Sequence, residues 1–180
     1  LINAGNDNGV QHALYTLAQL INQYGTELPA MVIRDMPVFP NRGFLLDISR
    51  DRVPTMNELM SLVGILAFLK YNHLQLYTEH TFAYKKHEVV WKDSSPMTAS
   101  EIKKLDAYCQ SLGITLVANQ ACFTHLTRWL KHPQYAGLAE TNSDWEWDGN
   151  QFSDPFSLNP HNQGSIKLVS DMLGQLKPNF

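Results

Sequence analysis

Apolar residues recur along the chain in two alternating rhythms. Over 8–24 they fall at Val10, Ala13, Leu14, Leu17, Ala18, Leu20 and Ile21, the three-and-four spacing of an amphipathic helix. Asp7 or Asn6 is placed to cap that helix and Gly25 to end it. A short extended piece is predicted over 30–34. Beyond Pro37 and Pro40, the apolar run Gly43-Phe44-Leu45-Leu46-Asp47-Ile48 has strand length and turn residues at its ends, which predicts a buried strand. Thr55 and Glu58 have capping-box spacing, and Leu59, Leu62, Val63, Leu66 and Leu69 then share one face, predicting a helix over 56–70. A second strand is predicted over 73–77, His73-Leu74-Gln75-Leu76-Tyr77. After a polar and aromatic stretch over 78–97, a helix starts at Thr98 or Ser100, carries Ile102, Leu105, Ala107, Tyr108 and Leu112, and ends at Gly113. Ile114-Thr115-Leu116-Val117-Ala118 predicts the third strand.

The order strand, helix, strand, helix, strand, with connections long enough for crossovers, predicts an α/β fold with parallel strands. Further on, 123–131 reads as a short helix and 133–162, rich in Trp, Pro, Asn, Asp and Gly, as a long surface insertion. Helical spacing returns over 165–176 through Ile166, Leu168, Val169, Met172, Leu173 and Leu176. Repeated βα units with polar residues after each strand suit a (β/α)8 TIM barrel, which takes about 250 residues and eight units. Three strands supply about the first three βα units, so a partial barrel is expected.

With 180 residues and 44% hydrophobic content there is apolar material for one sizeable core, which excludes a disordered chain. Fourteen Lys and Arg stand against seventeen Asp and Glu, with no basic run longer than Lys85-Lys86 or Lys103-Lys104, so no nucleic-acid partner is expected. The longest largely apolar stretch, 59–69, falls well short of the ~20 residues that span a bilayer. Two cysteines, Cys109 and Cys122, are too few for a disulfide scaffold, and both are read as free thiols. The chain opens on Leu1-Ile2-Asn3-Ala4-Gly5 without a Met, and the expectation is that it forms part of a longer protein.

In a barrel the working surface lies beyond the C-terminal ends of the strands. The first strand ends in Asp47-Ile48-Ser49-Arg50-Asp51-Arg52, where Arg50 could clamp a hydroxyl-rich or carboxylate ligand, or pair with Asp47 or Asp51. The second ends in Tyr77-Thr78-Glu79-His80. Glu79 beside His80 offers an acid, base or orienting group; the other reading is an exposed pair on a loop. The third runs into Asn119-Gln120-Ala121-Cys122-Phe123-Thr124-His125. Asn119 and Gln120 suit sugar hydroxyls or amides, and His125 either bridges carboxylates or packs in its own loop. His73, His80 and His87 recur every seven residues, yet one opens a strand and the others lie on its exit loop, so no metal site is expected. Cys122 lacks the local signature of a thiol nucleophile. No Gly-rich phosphate loop occurs. Trp145 and Trp147 either offer indole faces to a sugar ring or pin their own loop.

The segments Asn41-Arg42-Gly43-Phe44-Leu45-Leu46-Asp47-Ile48-Ser49-Arg50, Leu66-Ala67-Phe68-Leu69-Lys70-Tyr71-Asn72 and Leu76-Tyr77-Thr78-Glu79-His80-Thr81-Phe82-Ala83-Tyr84 resemble the opening of family 20 glycoside hydrolases, the β-N-acetylhexosaminidases. The helix over 8–24 resembles the last helix of the small α/β domain that precedes the barrel in that family, and 116–125 its third strand and following His-containing loop. The resemblance implies retaining hydrolysis of a terminal β-linked N-acetylhexosamine, in which the sugar's own acetamide oxygen attacks the anomeric carbon. An adjacent Asp-Glu pair at the end of the fourth strand carries that chemistry: the Asp orients the acetamide and the Glu is general acid, then base. The pair is expected beyond Phe180.

By the same resemblance Arg50 holds ring hydroxyls, His125 bonds toward the catalytic Glu, and Glu79 takes the acidic place at the end of the second strand, for which Thr78 also aligns. Asn119, Trp145 and Trp147 complete the expected sugar-binding set. Thr124 replaces the usual Gly before the matched His, and Asn119 and Ala121 replace acidic residues common in that loop. Residues 1–36 are expected to be the end of the preceding domain and a linker, and 37–180 the N-terminal portion of the barrel domain. The expected partner is a carbohydrate with a terminal N-acetylhexosamine, without cofactor or metal. Such a piece alone is expected to be inactive. The other reading is a noncatalytic carbohydrate-binding or structural half-barrel, and unpaired barrel edges predict homo-oligomers.

Overall fold

The computed structural model describes residues 1–180. Helix α1 spans Asp7–Tyr24; Asn6 Oδ1 accepts the Gly9 N–H at 2.9 Å, and Gly25, at φ 81°, closes the last turn. It buries no residue completely. Its attachments run to the turn after the next helix: Gln19 Nε2 donates to the Phe68 carbonyl at 2.8 Å, Tyr15 meets Phe68 edge to face, and Lys70 reaches both Thr16 and Asp35. Residues 30–34 join no sheet, and Val32 is exposed.

The core of the chain is β1 (Gly43–Asp47), α2 (Met56–Phe68), β2 (His73–Thr78), α3 (Glu88–Trp91), α4 (Ala99–Ser111) and β3 (Thr115–Gln120). The strands form one parallel sheet in the order β1-β2-β3, with Gly43 opposite His73 and His73 opposite Thr115. Alternation along each strand sorts side chains between two faces. One face carries Leu46, Leu74, Leu76 and Leu116. It packs on Leu59, Val63 and Leu66 of α2 and on Ile102, Leu105 and Cys109 of α4. Each such Leu contributes about 2 kcal/mol over an exposed position.

The opposite face holds Leu45, Asp47, Gln75, Tyr77, Val117 and Asn119, and is open. The first strand is therefore less buried than its sequence suggests: Phe44 is 38% and Leu45 51% exposed, because β1 is an edge and no element of these residues covers Leu45. Helix α2 stops at Phe68 rather than 70, where Lys70 turns to φ 63°. The third strand occupies 115–120 rather than 114–118, because β2 supplies partners as far as Thr78 opposite Gln120.

After β3 the expected helix over 123–131 shrinks to α5 (Thr127–Leu130), since His125 sits at φ 59° and the Leu126 N–H bonds to the Phe156 carbonyl at 3.0 Å. Helix α6 (Pro133–Ala136) follows, then a hairpin of β4 (Trp145–Trp147) and β5 (Asn150–Phe152). The insertion is not simply a surface loop. Tyr135, Ala139 and Leu158 are buried, and 156–159 lies between two segments through Leu158 N–H to Phe123 O and Asn159 N–H to Leu138 O, both 2.8 Å. Helix α7 (Gln163–Leu176), capped by Asn162, closes the structure with a single 3₁₀ turn over Lys177–Asn179.

Candidate functional site

The site is built at the exits of the three strands, around the Tyr77 ring. Asp47, Tyr77 and Asn119 are direct neighbours across β1, β2 and β3, so their side chains form one row on the open face. Asp47 Oδ1 accepts the Ser49 N–H at 2.8 Å and the Arg50 N–H at 3.2 Å, folding the strand end into a tight turn. Its other oxygen holds Arg50 Nη1 at 2.7 Å. The guanidinium carbon then lies 5.1 Å from the Tyr77 ring centroid, and Nη2 is 3.8 Å from Glu79 Oε1. Arg50 pairs with Asp47 and still presents its remaining donors to the open face.

Glu79 continues the alternation beyond β2 and joins Tyr77, whose hydroxyl donates to Oε1 at 2.9 Å. Burial first, and the Glu79 bond second, push the phenol above its ordinary value, so it stays a donor. Thr78 faces the other way, is buried, and donates back to the Leu76 carbonyl. The Glu79 backbone is gripped from three elements. Its N–H donates to Ser49 Oγ at 2.8 Å; its carbonyl accepts from Gln120 Nε2 at 3.0 Å and from Trp129 Nε1 at 2.8 Å. His80, the next residue, is also buried, so the two are not an exposed loop pair. They do not act together either, because His80 turns into a separate cleft beside Ser49 and Arg128.

His125 meets Tyr77 edge-on, ring centroids 6.5 Å apart, and Phe156 at 4.6 Å. Asn119 donates to Gln75 Oε1 at 3.2 Å on the same face. Trp145 stacks on Phe152 at 4.5 Å, tilts over Phe156 at 5.4 Å and donates Nε1–H to the Asp154 carbonyl. It pins the hairpin and buttresses His125 through Phe156. Trp147 is 71% exposed and stands apart on the hairpin. Arg50, Glu79, Asn119 and His125 therefore gather around one ring, with Trp145 behind them.

Strand-end reasoning did not single out Tyr77 or Asp47 as site residues. The readable signal was period two: 47, 77 and 79 fall on the face opposite the Leu-rich one. The three spaced histidines go to three places: His73 lies against Gly43, His80 lines its cleft, and His87 bonds Tyr135 and Asp171. No three His, Cys, Asp or Glu side chains converge. Both thiols are free. Burial pushes Cys109 up to about 12 and raises Cys122, which donates to the Gln120 carbonyl.

A parallel βα sheet whose strand exits converge on a charged and aromatic polar face defines the class: part of a βα-barrel type of fold, with this face at the C-terminal ends of its strands. The comparisons sharpen it. No protein-family model matches the chain. The beta-hexosaminidase of Akkermansia muciniphila is 28% identical over 135 residues, 63% of this chain and 27% of that protein. The beta-hexosaminidase subunit alpha of Mus musculus is 30% identical over 148 residues, 72% of this chain and 28% of that protein. Among solved structures, a chitobiase of Flavobacterium johnsoniae superposes with TM-score 0.77 at 25% identity, covering 99% of this chain and 28% of that one. An exo-beta-N-acetylglucosaminidase of Vibrio harveyi, in complex with N-acetylglucosamine, shares the fold at TM-score 0.77 and 20% identity, over 98% of this chain and 32% of that one.

The chain is family 20 glycoside hydrolase-like. It spans 27% and 28% of the lengths of the two curated relatives named.

Proposed function

We propose that this chain is the sugar-recognition part of a retaining β-N-acetylhexosaminidase. The observation that carries the reading is the convergence of Arg50, Glu79 and His125 on Tyr77, in a chain whose relatives bear the name beta-hexosaminidase. A planar guanidinium fork beside two carboxylates, over an aromatic ring, matches the alternating donors and acceptors of a pyranose. In this reading Arg50 and Glu79 hold ring hydroxyls, Asn119 adds an amide, and His125 supports the acid–base carboxylate. Trp145 backs His125 through Phe156, and the exposed Trp147 offers its indole face to the rest of the glycan.

Cleavage is substrate-assisted: the acetamide oxygen attacks the anomeric carbon, an Asp orients the acetamide, and a neighbouring Glu protonates the leaving oxygen and then activates water. That pair lies outside these 180 residues. The small share of the relatives' length that this chain covers supports this placement. The segment alone is inactive.

The test is the protein encoded by the complete gene, assayed on a chromogenic β-N-acetylglucosaminide, with product anomer followed by NMR. Arg50→Ala removes a charged donor from the sugar, worth about 100-fold in kcat/KM. Cleavage with retention and that loss support the reading. Binding of N-acetylglucosamine without cleavage moves the protein to the noncatalytic carbohydrate-binding class, and neither binding nor cleavage removes the sugar reading.

A further inference from the structure

Opposite charges that share a partly enclosed surface tend to close on one another, and a closed guanidinium–carboxylate pair has little left to offer a ligand. Arg50 and Glu79 have not closed. Arg50 Nη2 stands 3.8 Å from Glu79 Oε1, beyond the about 2.7–3.2 Å of a hydrogen bond. The Glu79 side chain is only 11% exposed, so its carboxylate has little water to turn to, and something must hold the two charges apart.

Two groups do so. Asp47 Oδ2 draws Arg50 Nη1 to 2.7 Å from the β1 side, while Asp47 Oδ1 fixes the Arg50 backbone N–H at 3.2 Å. Tyr77 holds the other half. Its hydroxyl donates to Glu79 Oε1 at 2.9 Å, and its ring carries the guanidinium carbon at 5.1 Å from the centroid. The Glu79 oxygen nearest Arg50 is therefore already occupied. Burial, and then the Glu79 bond, push the phenol upward, so this donor keeps its proton at working pH. Glu79 Oε2 accepts no hydrogen bond and reaches solvent.

A group placed between Arg50 and Glu79 has to accept from a guanidinium and donate to a carboxylate at once. A hydroxyl does both. A carboxylate or phosphoryl group would meet Asp47 and Glu79, and an ammonium would meet Arg50. The separated pair is matched to a neutral polyol.

We propose that Tyr77 is the positioning residue of the sugar site: it keeps the Glu79 carboxylate from closing on Arg50, and so maintains a donor–acceptor gap that one ring hydroxyl of the sugar bridges. The role rests on the sugar reading above and deepens it. Tyr77 acts through its two neighbours rather than on the sugar.

The probe is N-acetylglucosamine, titrated by calorimetry into the protein encoded by the complete gene and into three variants. Tyr77→Phe keeps the ring beside Arg50 and removes only the hydroxyl; circular dichroism verifies that the fold is kept. Glu79, released, closes on Arg50, and affinity for the sugar falls about tenfold, the worth of one hydrogen bond to a charged group. In turnover the loss appears in KM, with kcat nearly unchanged, because the hydroxyl is bound alike before and during reaction. Glu79→Gln loses affinity of its own, and adding Tyr77→Phe to it costs nothing more, since a neutral amide has no charge to close on Arg50. Unaltered affinity in Tyr77→Phe, even with a lowered Tm, overturns the role. A second tenfold loss in the Tyr77→Phe/Glu79→Gln pair overturns it too. If the unaltered protein neither binds nor cleaves the sugar, the hexosaminidase reading falls and the Tyr77 role with it; if the unaltered protein binds and Tyr77→Phe binds equally well, only the Tyr77 role falls.

Discussion

Gln120, half-buried at the end of β3, carries more than its place at a strand end suggests. Its Nε2 donates to the Glu79 and Ala121 carbonyls, and its Oε1 accepts the hydroxyl of the fully buried Tyr84. Gln120→Met keeps the volume and strips all three bonds, leaving the Tyr84 phenol an orphan, so unfolding in urea should show a loss of about 1–3 kcal/mol. Tyr84→Phe in the Gln120→Met background removes the orphan and should recover part of that loss; additive effects in the double-mutant cycle would contradict the assignment. His80 gives the molecule a pH dependence. Its folded pKa, about 4, lies below the 6.5 of the unfolded chain, so the unfolded state binds the extra proton between those values. Stability is then full above pH 6.5 and falls as pH drops through that window, by up to about 3 kcal/mol near pH 4. His80→Asn should flatten the urea midpoint between pH 7 and pH 4.5. At this scale Arg50, Glu79 and His125 were legible because strand ends are fixed by hydrophobic period. Tyr77 as their common neighbour was not, since it depends on which residues stand opposite it in register.

Helix starts were the most readable elements. The Thr55-to-Glu58 spacing forms a complete capping box, with Thr55 N–H to Glu58 Oε2 at 2.7 Å, and the Thr98-to-Glu101 spacing forms another at α4. Thr98→Ala should cost about 1 kcal/mol in the urea midpoint, the usual value of an N-cap. A helix start is written in four consecutive residues. The ends of β3 and α5 are not: β3 runs on to Gln120 because Thr78 is there to pair with it, and α5 is cut short because Leu126 bonds to Phe156, thirty residues away. The insertion was misread for the same reason. Its polar composition describes the hairpin of β4 and β5, while Tyr135, Ala139 and Leu158 tie the remainder to the core.

At the scale of the whole molecule, the parallel order and the two crossover helices followed from segment lengths, because a parallel pair requires a long connection. The degree of burial did not follow, because it depends on what covers the open face. Both edges of the sheet, at β1 and β3, are unpaired, and Leu45, Val32, Val38 and Phe39 are exposed. Unpaired edges and contiguous apolar surface favour association. Produced as these 180 residues alone, the protein should elute as dimers or larger species in size-exclusion chromatography with light scattering; a stable monomer at micromolar concentration would contradict that expectation.

The order of the sheet has a consequence for how the chain comes to its shape. Because β1, β2 and β3 lie side by side in the order of synthesis, β2 and β3 each find a neighbour already made when they leave the ribosome. The sheet can grow from one side during translation, with α2 and α4 joining as it grows, and only β1 has to wait for a partner not yet synthesised.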